Sequence, residues 1–329
     1  MARLAHFMPL LTSDDFVETL AKLRQRGTGF LLSKLNLNAL ARTQSAFDDP
    51  SLRTANWWIL PAVRGRWNAK ITGDPARPYE GYVVEKYLRG RTGLRLCSLG
   101  SGSCSHELAF ARHSAFELVE CVDIAGALLA KAAAQAKQEG LTNMRFEMRD
   151  VNRQPWPTAA YDVILFHSAL HHFQQIEAVV DHVWQALRPG GLLVLNDYVG
   201  PNRLQWTPAQ LVAANQLLRQ LPAPYRRRYM ASQLKTRISG PGRLRMLVAD
   251  PSEAVESEAI LPAIHRQFTV LEEKPLGGNL LTLVLKDIAH HFLPEDAATQ
   301  MLLRQLFDAE DNFLLHNPSD LLFGVYQKT

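Results

Sequence analysis

The chain has 329 residues, of which 47% are hydrophobic and 21% charged, and its 36 basic and 32 acidic residues give a formal net charge of +4. This composition is ordinary for a globular protein and excludes a disordered or fibrous chain. Because the length exceeds that of a typical single domain, we expect one large α/β domain with a substantial additional element.

Features that would indicate a membrane, a disulfide framework or a metal site are missing from the sequence pattern. The first residues lack the basic, apolar and small-residue regions of a leader, and no later run of about 18 apolar residues is uncharged. We therefore expect a cytoplasmic protein without a membrane partner. The spacing of Cys97, Cys104 and Cys121 suits neither a disulfide framework nor a metal knuckle, so reduced thiols and no metal are predicted.

Residues 1–90 are predicted to form a mainly helical cap. Residues 10–24 and 33–41 are amphipathic, and an aromatic and basic stretch follows at 57–87. Within that stretch we select Arg64 and Tyr79 as candidates for lining a substrate pocket, although packing of the cap would explain most of its aromatic residues equally well.

From residue 94 onward, short apolar runs alternate with amphipathic stretches, a pattern that predicts strand-helix units around a mostly parallel sheet. Residues 125–139, rich in Ala, Leu, Lys and Gln, give the clearest helix. The predicted strands cover residues 94–99, 118–122, 144–148, 162–166 and 191–196.

The pattern changes after residue 196. Residues 198–249 contain nine Arg and Lys residues and no Asp or Glu. Two strand-like runs follow at 268–273 and 280–286, and the Pro-Leu-Gly-Gly segment between them predicts an antiparallel hairpin. Residues 295–316 form a further helical pattern that ends before Pro318.

A glycine-rich turn, Gly100-Ser101-Gly102, follows the first predicted strand directly and precedes a helical run. Glycine allows a cofactor to approach the main chain closely. Asp123 stands about 20 residues further on, where a carboxylate accepts hydrogen bonds from ribose hydroxyls. NAD and S-adenosylmethionine both offer that ribose, but Ser105 occupies the position of the third glycine of the dinucleotide motif.

These motifs resemble the class I S-adenosylmethionine-dependent methyltransferases over about residues 93–286. The turn into the fifth strand, residues 186–194 (Ala-Leu-Arg-Pro-Gly-Gly-Leu-Leu-Val), is the most specific match. Two positions depart from the family pattern, because Ser98 stands where an acid is common and Cys104 where a last glycine is usual. The resemblance implies S-adenosylmethionine as cofactor, S-adenosylhomocysteine as product, and a set of cofactor-binding residues: Ser98, Gly100, Ser101, Gly102, Asp123, Ile124, Asp150, Val151 and His167.

The resemblance also implies a fold and a domain division. We expect a Rossmann-like, seven-stranded, mostly parallel sheet with a C-terminal antiparallel hairpin, an N-terminal helical cap and an insertion between strands 5 and 6. The predicted domains are a cap at 1–90, a cofactor-binding domain at 91–290 that includes the basic insertion 198–258, and a helical tail at 291–329.

Candidate catalytic residues lie at the ends of the fourth and fifth predicted strands, since open α/β sheets bind ligands beyond the carboxyl ends of their strands. His167 and Asp197 are predicted to form a base with its orienting carboxylate, and His171 is a further catalytic candidate. The alternative for His171 and its neighbour is capping or packing. Candidate substrate-binding residues are Arg64, Tyr79, His172, Tyr198 and Arg203.

The basic insertion indicates an anionic small-molecule acceptor, while an acidic carrier protein, RNA or a solvated helix face would explain it too. We do not expect nucleic acid as the partner, since no RNA-binding module is recognisable. The sequence thus predicts a methyltransferase that acts on a small molecule, more plausibly at oxygen because several candidate bases cluster. The alternatives are an RNA or protein methyltransferase and a non-catalytic partner protein; the oligomeric state stays open.

Overall fold

A computed structural model describes residues 10, 12, 15, 55–151, 156–231, 233–242, 246 and 251–329. Most of the two predicted helices at 10–24 and 33–41, together with Arg243 and Arg245, lies outside the described residues. The chain divides into two compact units. The sheet unit comprises Pro61–Gly200, Ala254–Gly277 and Pro318–Thr329, and the second unit comprises Met1–Leu60, Pro201–Glu253 and Gly278–Asn317.

In the described part of the chain, seven strands form one sheet in the order β3-β2-β1-β4-β5-β7-β6. Strands β1 to β5 are parallel, and β7 runs antiparallel between β5 and β6. The strands are β1 (Leu94–Leu99), β2 (Phe116–Asp123), β3 (Met144–Met148), β4 (Tyr161–His167), β5 (Leu187–Tyr198), β6 (Thr269–Gly277) and β7 (Leu321–Gln327).

Helices cover the sheet in the sheet unit because its central strands are apolar on both faces. Alternate residues of β4 enter opposite apolar clusters: Ile164 and Phe166 pack on one side, Val163 and Leu165 on the other. The helices of this unit are α1 (Pro61–Thr72), α2 (Tyr79–Tyr87), α3 (Ser105–Ala111), α4 (Gly126–Gln138), α5 (Ile176–Ala186) and α7 (Ile260–Gln267).

The cluster that a helix contributes to shows which face of the sheet that helix covers. Helix α5 contributes Val179 and Val183 to the first cluster, with Ile264 of α7 beside them. Helices α2, α3 and α4 contribute Val83, Phe110 and other residues to the second cluster. We call these the α5 face and the α3 face of the sheet.

The longer elements described in the second unit are helices. Its longer helices are α6 (Pro208–Gln220) and α9 (Ala297–Leu314), with the short α8 (Leu281–Leu285) between them in the chain. Helix α6 begins with a capping box, in which Thr207 accepts from the backbone of Gln210 and the Gln210 side chain accepts from the backbone of Thr207.

The predicted fold class is confirmed, and the first five predicted strands match β1 to β5. The predicted hairpin partner is wrong, since residues 280–286 contain α8 instead of a strand. The antiparallel partner of β6 is β7, which lies inside the segment predicted as a helical tail. Residues 61–90, expected to belong to the cap, lie in the sheet unit.

Two buried charges explain why the apolar run at α8 is helical. The Glu310 carboxylate accepts hydrogen bonds from the backbone amides of Gly278, Leu280 and Leu281 at the start of the helix. The Lys235 ammonium donates to carbonyl groups at its end, those of Leu283 at 2.7 Å and Val284 at 3.1 Å. An anion at the N-terminus and a cation at the C-terminus both stabilise a helix.

Among the described residues, no helix is both long enough and apolar enough to cross a membrane.

Candidate functional site

The carboxyl ends of β1, β2 and β4 meet at one edge of the sheet. The chain order reverses between β1 and β4, because β1 leads outward to β2 and β3 while β4 leads in the other direction to β5. In open α/β sheets such a reversal leaves a crevice that binds ligands. The residues predicted for cofactor binding follow β1, β2 and β3 at this edge.

Glycine stands at two positions of the loop after β1, and the structural reason differs between them. A methyl group on Gly100 would lie 2.8 Å from the Cβ atom of Ala169, so this position is closed to any side chain. Gly102 has a φ of +51°, and a methyl group there would meet nothing within 4 Å. Gly100 therefore packs the loop against the segment after β4, whereas Gly102 leaves space beside the main chain.

The Asp123 carboxylate at the end of β2 holds this loop. One oxygen accepts a hydrogen bond from the backbone amide of Gly102 at 2.7 Å, and the other accepts from that of Ala125 at 2.7 Å. Each carboxylate oxygen can accept a second bond, so the group remains able to bind ribose hydroxyls. The half-buried Ser101 and Ile124 flank it, and the Ser101 amide donates to the carbonyl of Val122 at 3.2 Å.

Asp150 and Val151 lie in the loop after β3 and are half-buried. The backbone amide of Arg149 donates to the carbonyl of Asp123 at 3.0 Å, which joins this loop to the end of β2. The Val151 carbonyl accepts from the indole of Trp156 at 2.9 Å. The structure thus brings Asp150 and Val151, which are predicted to bind the cofactor, next to Asp123, which is predicted to bind its ribose.

His167 ends β4 and contacts two aromatic rings. Its Nδ1 atom lies 3.1 Å from the Tyr79 hydroxyl, and its ring stacks on that of His106 with 3.5 Å between centroids. Burial and the neighbouring charge of His106 lower the pKa of His167 well below its usual value of 6.5. A neutral imidazole at neutral pH can accept a proton.

Asp197 pairs with His171 and not with His167, which corrects the predicted base-carboxylate pair. The distance between Asp197 Oδ1 and His171 Nδ1 is 2.5 Å. The reason is strand alternation: His167 is in register with Asn196 on β5, so Asp197 points to the opposite face of the sheet. The His171–Asp197 pair is therefore separate from the His167 cluster.

The carboxylate of Asp197 is fully buried and organises the segment after β4. It accepts from the backbone amides of Ala169 at 2.9 Å, Leu170 at 2.6 Å and Tyr198 at 2.7 Å. Burial alone would raise its pKa, but the charge of His171 and these hydrogen bonds outweigh burial and lower it. This pair positions the 3-10 helix Leu170–His172, as the packing alternative anticipated.

The predicted substrate-binding residues do not form one group. Tyr79 is buried beside His167, whereas Arg64 is exposed on α1. The His172 and Tyr198 rings lie near His171, with centroid distances of 4.0 Å and 6.1 Å from it. Arg203 lies in the second unit, where it donates to the carbonyl of Pro251 at 2.7 Å.

Three site residues were missed from the sequence: Glu80, His106 and Glu107. Glu80 and Glu107 are 3% and 2% exposed. Glu107 accepts from the Ser98 hydroxyl at 2.5 Å, so a carboxyl group reaches the strand position where the family pattern has an acid. One signal was available, since Glu107 is the only acidic residue between Leu94 and Phe116.

Two basic residues of the insertion bind groups in and beside α8. Arg228 forms a 2.5 Å ion pair with Asp287, and Lys235 caps α8 as described above. These contacts reduce the positive charge that is available for an anionic acceptor.

Comparisons with known proteins match part of this chain to methyltransferases. Residues 97–191 match the family model of a methyltransferase domain. Uncharacterized methyltransferase YcgJ of Bacillus subtilis is 28% identical over 109 residues, which are 32% of this chain and 42% of that protein. Trans-aconitate 2-methyltransferase of Deinococcus radiodurans is 28% identical over 121 residues, which are 37% of this chain and 42% of that protein.

The crystal structure of YcgJ aligns with a TM-score of 0.42 and 19% identity, covering 75% of this chain and 95% of that one. In sequence, the chain matches about two fifths of the length of the two curated relatives. Their likeness to this chain is therefore that of one domain.

Proposed function

We propose that this chain, whose residues 97–191 match the family model of a methyltransferase domain, transfers the methyl group of S-adenosylmethionine to a hydroxyl group of a small-molecule acceptor. The observation that carries the proposal is the set of groups at the crevice between β1 and β4. There the open Gly102 position, the fixed Asp123 carboxylate and the neutral His167 imidazole belong to adjoining strand ends.

The described residues fit the cofactor. Asp123 would accept hydrogen bonds from the ribose hydroxyls, and Asp150 with the Val151 backbone would meet the adenine. Gly102 leaves room for the ligand, and a buried oxygen of Glu107 has no hydrogen-bond partner among the described residues. Such an orphaned buried acceptor is suited to a donor that the ligand brings, such as an ammonium group.

The bound cofactor supplies an electrophilic methyl group on a sulfonium. The acceptor oxygen would form a carbon–oxygen bond to that methyl group as the carbon–sulfur bond breaks, and the product would be S-adenosylhomocysteine. The hydroxyl proton passes to His167, whose other ring nitrogen is held by Tyr79. Apart from that proton transfer, the protein has to align the acceptor at near-attack distance and exclude water.

Within this proposal the acceptor is a small molecule, and the basic composition of residues 198–249 favours one that carries an anionic group. Trans-aconitate 2-methyltransferase, one of the relatives, is named for a small carboxylic acid.

The test is calorimetric titration of the full chain with S-adenosylhomocysteine and S-adenosylmethionine, with NADH as a control ligand. We expect micromolar dissociation constants for both sulfur ligands and none for NADH. Asp123→Asn should weaken binding about tenfold or more, because a hydrogen bond to a charged group is lost. Glu117→Gln, an exposed change of the same kind on β2, is the matched control and should bind as the wild type does.

Absence of binding by either sulfur ligand would refute the proposal and favour a non-catalytic role for the fold. Equal dissociation constants for the two variants would show that Asp123 does not bind the ligand. Circular dichroism of each variant separates a loss of contact from a loss of fold, since Asp123 also holds the Gly102 loop.

A further inference from the structure

His106 lies directly on His167, and the two imidazole rings come from different elements. The ring centroids are 3.5 Å apart and the planes differ by 28°. His106 is the second residue of α3, and His167 is the last residue of β4. Stacked imidazoles at this distance repel each other strongly when both carry a proton, because like charges interact at close range in a partly dry site.

One of the two rings, that of His106, lies beside a buried carboxylate. Glu80 on α2 is 3% exposed, and its Oε1 atom lies 2.5 Å from Nδ1 of His106, so protonated His106 forms an ion pair with it. The other oxygen of Glu80 is buried, and no described residue offers it a hydrogen bond. A buried carboxylate of this kind needs a cation beside it.

His167 has a different partner. Its Nδ1 atom faces the hydroxyl of Tyr79, a neutral group whose own pKa is raised well above 10.0 by burial and by the charges of Glu80 and Glu107. The ion-pair partner therefore lies beside His106, while His167 faces a neutral hydroxyl.

We propose that the Glu80–His106 ion pair is a positioning device that keeps His167 a neutral base by placing a fixed positive charge against its ring. This inference rests on the proposed function, since it assigns the ion pair a role in the same site. It makes His106 a residue that acts through His167 and does not itself touch the acceptor.

The groups around His167 allow this assignment. The lowered pKa of His167 has burial as its first cause and the charge of His106 as its second. The carboxylate on neighbouring β5, Asp197, is taken up by His171 and backbone amides on the other face of the sheet. Titratable groups on the elements next to His167 include Tyr79 and Glu80 on α2, His106 and Glu107 on α3, and Asp197 on β5.

The consequence for the reaction is a base that works at neutral pH without a carboxylate of its own. A histidine with a carboxylate on its ring would become easier to protonate, whereas His167 beside a cation stays unprotonated to lower pH. The site therefore accepts a hydroxyl that arrives with its proton and takes that proton during methyl transfer.

The test is a pH titration of the histidine ring nitrogens by NMR on the uniformly ¹⁵N-labelled full chain, with His167→Gln used to assign its signals. In the wild type we expect His167 to titrate below pH 6.5. His106→Gln removes the cation, so the His167 titration should move up by about one pH unit. His106→Lys keeps a cation next to Glu80 and should restore the low value.

The control is His113→Gln, which changes a histidine that follows α3 and leaves the stacked pair intact. It should leave the titration of His167 unchanged. A His106→Gln protein whose His167 titrates as in the wild type would overturn the proposal. So would a wild-type His167 that titrates at or above 6.5, a measurement that needs no variant to fold.

His106→Lys separates charge from packing. If the lysine variant titrates like His106→Gln, the effect of His106 is steric and the proposal is wrong. The titration requires no cofactor or acceptor, so its outcome is independent of the binding experiment above. Once an acceptor is known, the acid limb of the pH–rate profile should shift upward in His106→Gln and return in His106→Lys.

Discussion

Two buried carboxyl groups of the sheet unit have pKa shifts in opposite directions. Asp197 accepts several hydrogen bonds and faces His171, and its pKa is lowered despite burial. Glu107 accepts one short hydrogen bond from Ser98, and burial raises its pKa more than that bond and the charge of His106 lower it. The number of donors around each carboxylate decides whether it stays charged.

Glu107→Gln is expected to make the protein more stable at neutral pH. Because the pKa of Glu107 is higher in the folded state than in the unfolded one, its ionisation lowers the free energy of unfolding as pH rises. Glutamine cannot ionise and keeps an oxygen for Ser98, so the free energy of unfolding should rise by about 1 kcal/mol at pH 7 to 8.

Urea unfolding measured across the pH range checks this prediction. The gain should vanish below about pH 4, where glutamate is protonated in both states. Glu117→Gln on the exposed side of β2 is the control and should change little. A Glu107→Gln protein that is less stable than the wild type at pH 8 would contradict the argument.

The short helix α8 depends on two charged side chains that are distant from it in sequence. Its two caps, Glu310 and Lys235, lie on opposite sides of it in sequence, and each is at most 3% exposed. A five-residue helix is too short to form by its own propensity. Its stability therefore comes from these caps and from packing against α6 and α9.

Glu310→Gln should lower the free energy of unfolding by about 2 kcal/mol, because charge-assisted hydrogen bonds to three backbone amides are weakened or lost. The measurement is urea unfolding followed by circular dichroism. Asp308→Asn, at an exposed acid on the same helix, should stay within about 0.5 kcal/mol of the wild type. Equal effects of the two substitutions would mean that Glu310 does not cap α8.

The same elements show where sequence prediction succeeds. The parallel strands were predictable because each is a short apolar run, and residues 94–99 and 144–148 were predicted with the bounds of β1 and β3. The run at 280–286 is equally apolar, and nothing within it reveals the caps that make it helical. For β7 a local signal was present, since Phe323, Val325 and Tyr326 favour a strand, but the helical pattern before Pro318 was extended over it.

At the scale of the molecule, cofactor binding should be visible in the exchange of backbone amides. The strands that meet at the crevice, β1 and β4, form the centre of the sheet, so their slowest amides exchange only when the sheet unit opens. S-adenosylhomocysteine at 100 times its dissociation constant adds about 2.7 kcal/mol to the free energy of unfolding of the sheet unit. This slows that exchange about a hundredfold.

Hydrogen exchange followed by mass spectrometry, with NADH as the control ligand, checks this expectation. Unchanged exchange in β1 and β4 at saturating S-adenosylhomocysteine would show that the ligand binds elsewhere or also binds the unfolded chain.

The candidate site was predictable to the extent that it depends on chain order. Gly100, Gly102 and Asp123 follow strands and were found by their position. The partner of Asp197 was not predictable, since a shift of one residue along β5 exchanges the two faces of the sheet. His106 and Glu80 were missed because the contact of His106 with His167, and that of Glu80 with His106, form only in the folded sheet unit.

The place of β7 between β5 and β6 has a consequence for folding during synthesis. Residues 199–320 separate β5 from the strand that pairs with it, so a ribosome that adds 5–20 residues each second needs about 10 s to supply that partner. Until then β5 presents an unpaired apolar edge, the kind of edge that invites association between nascent chains. Chaperone dependence during translation should therefore be concentrated in this interval.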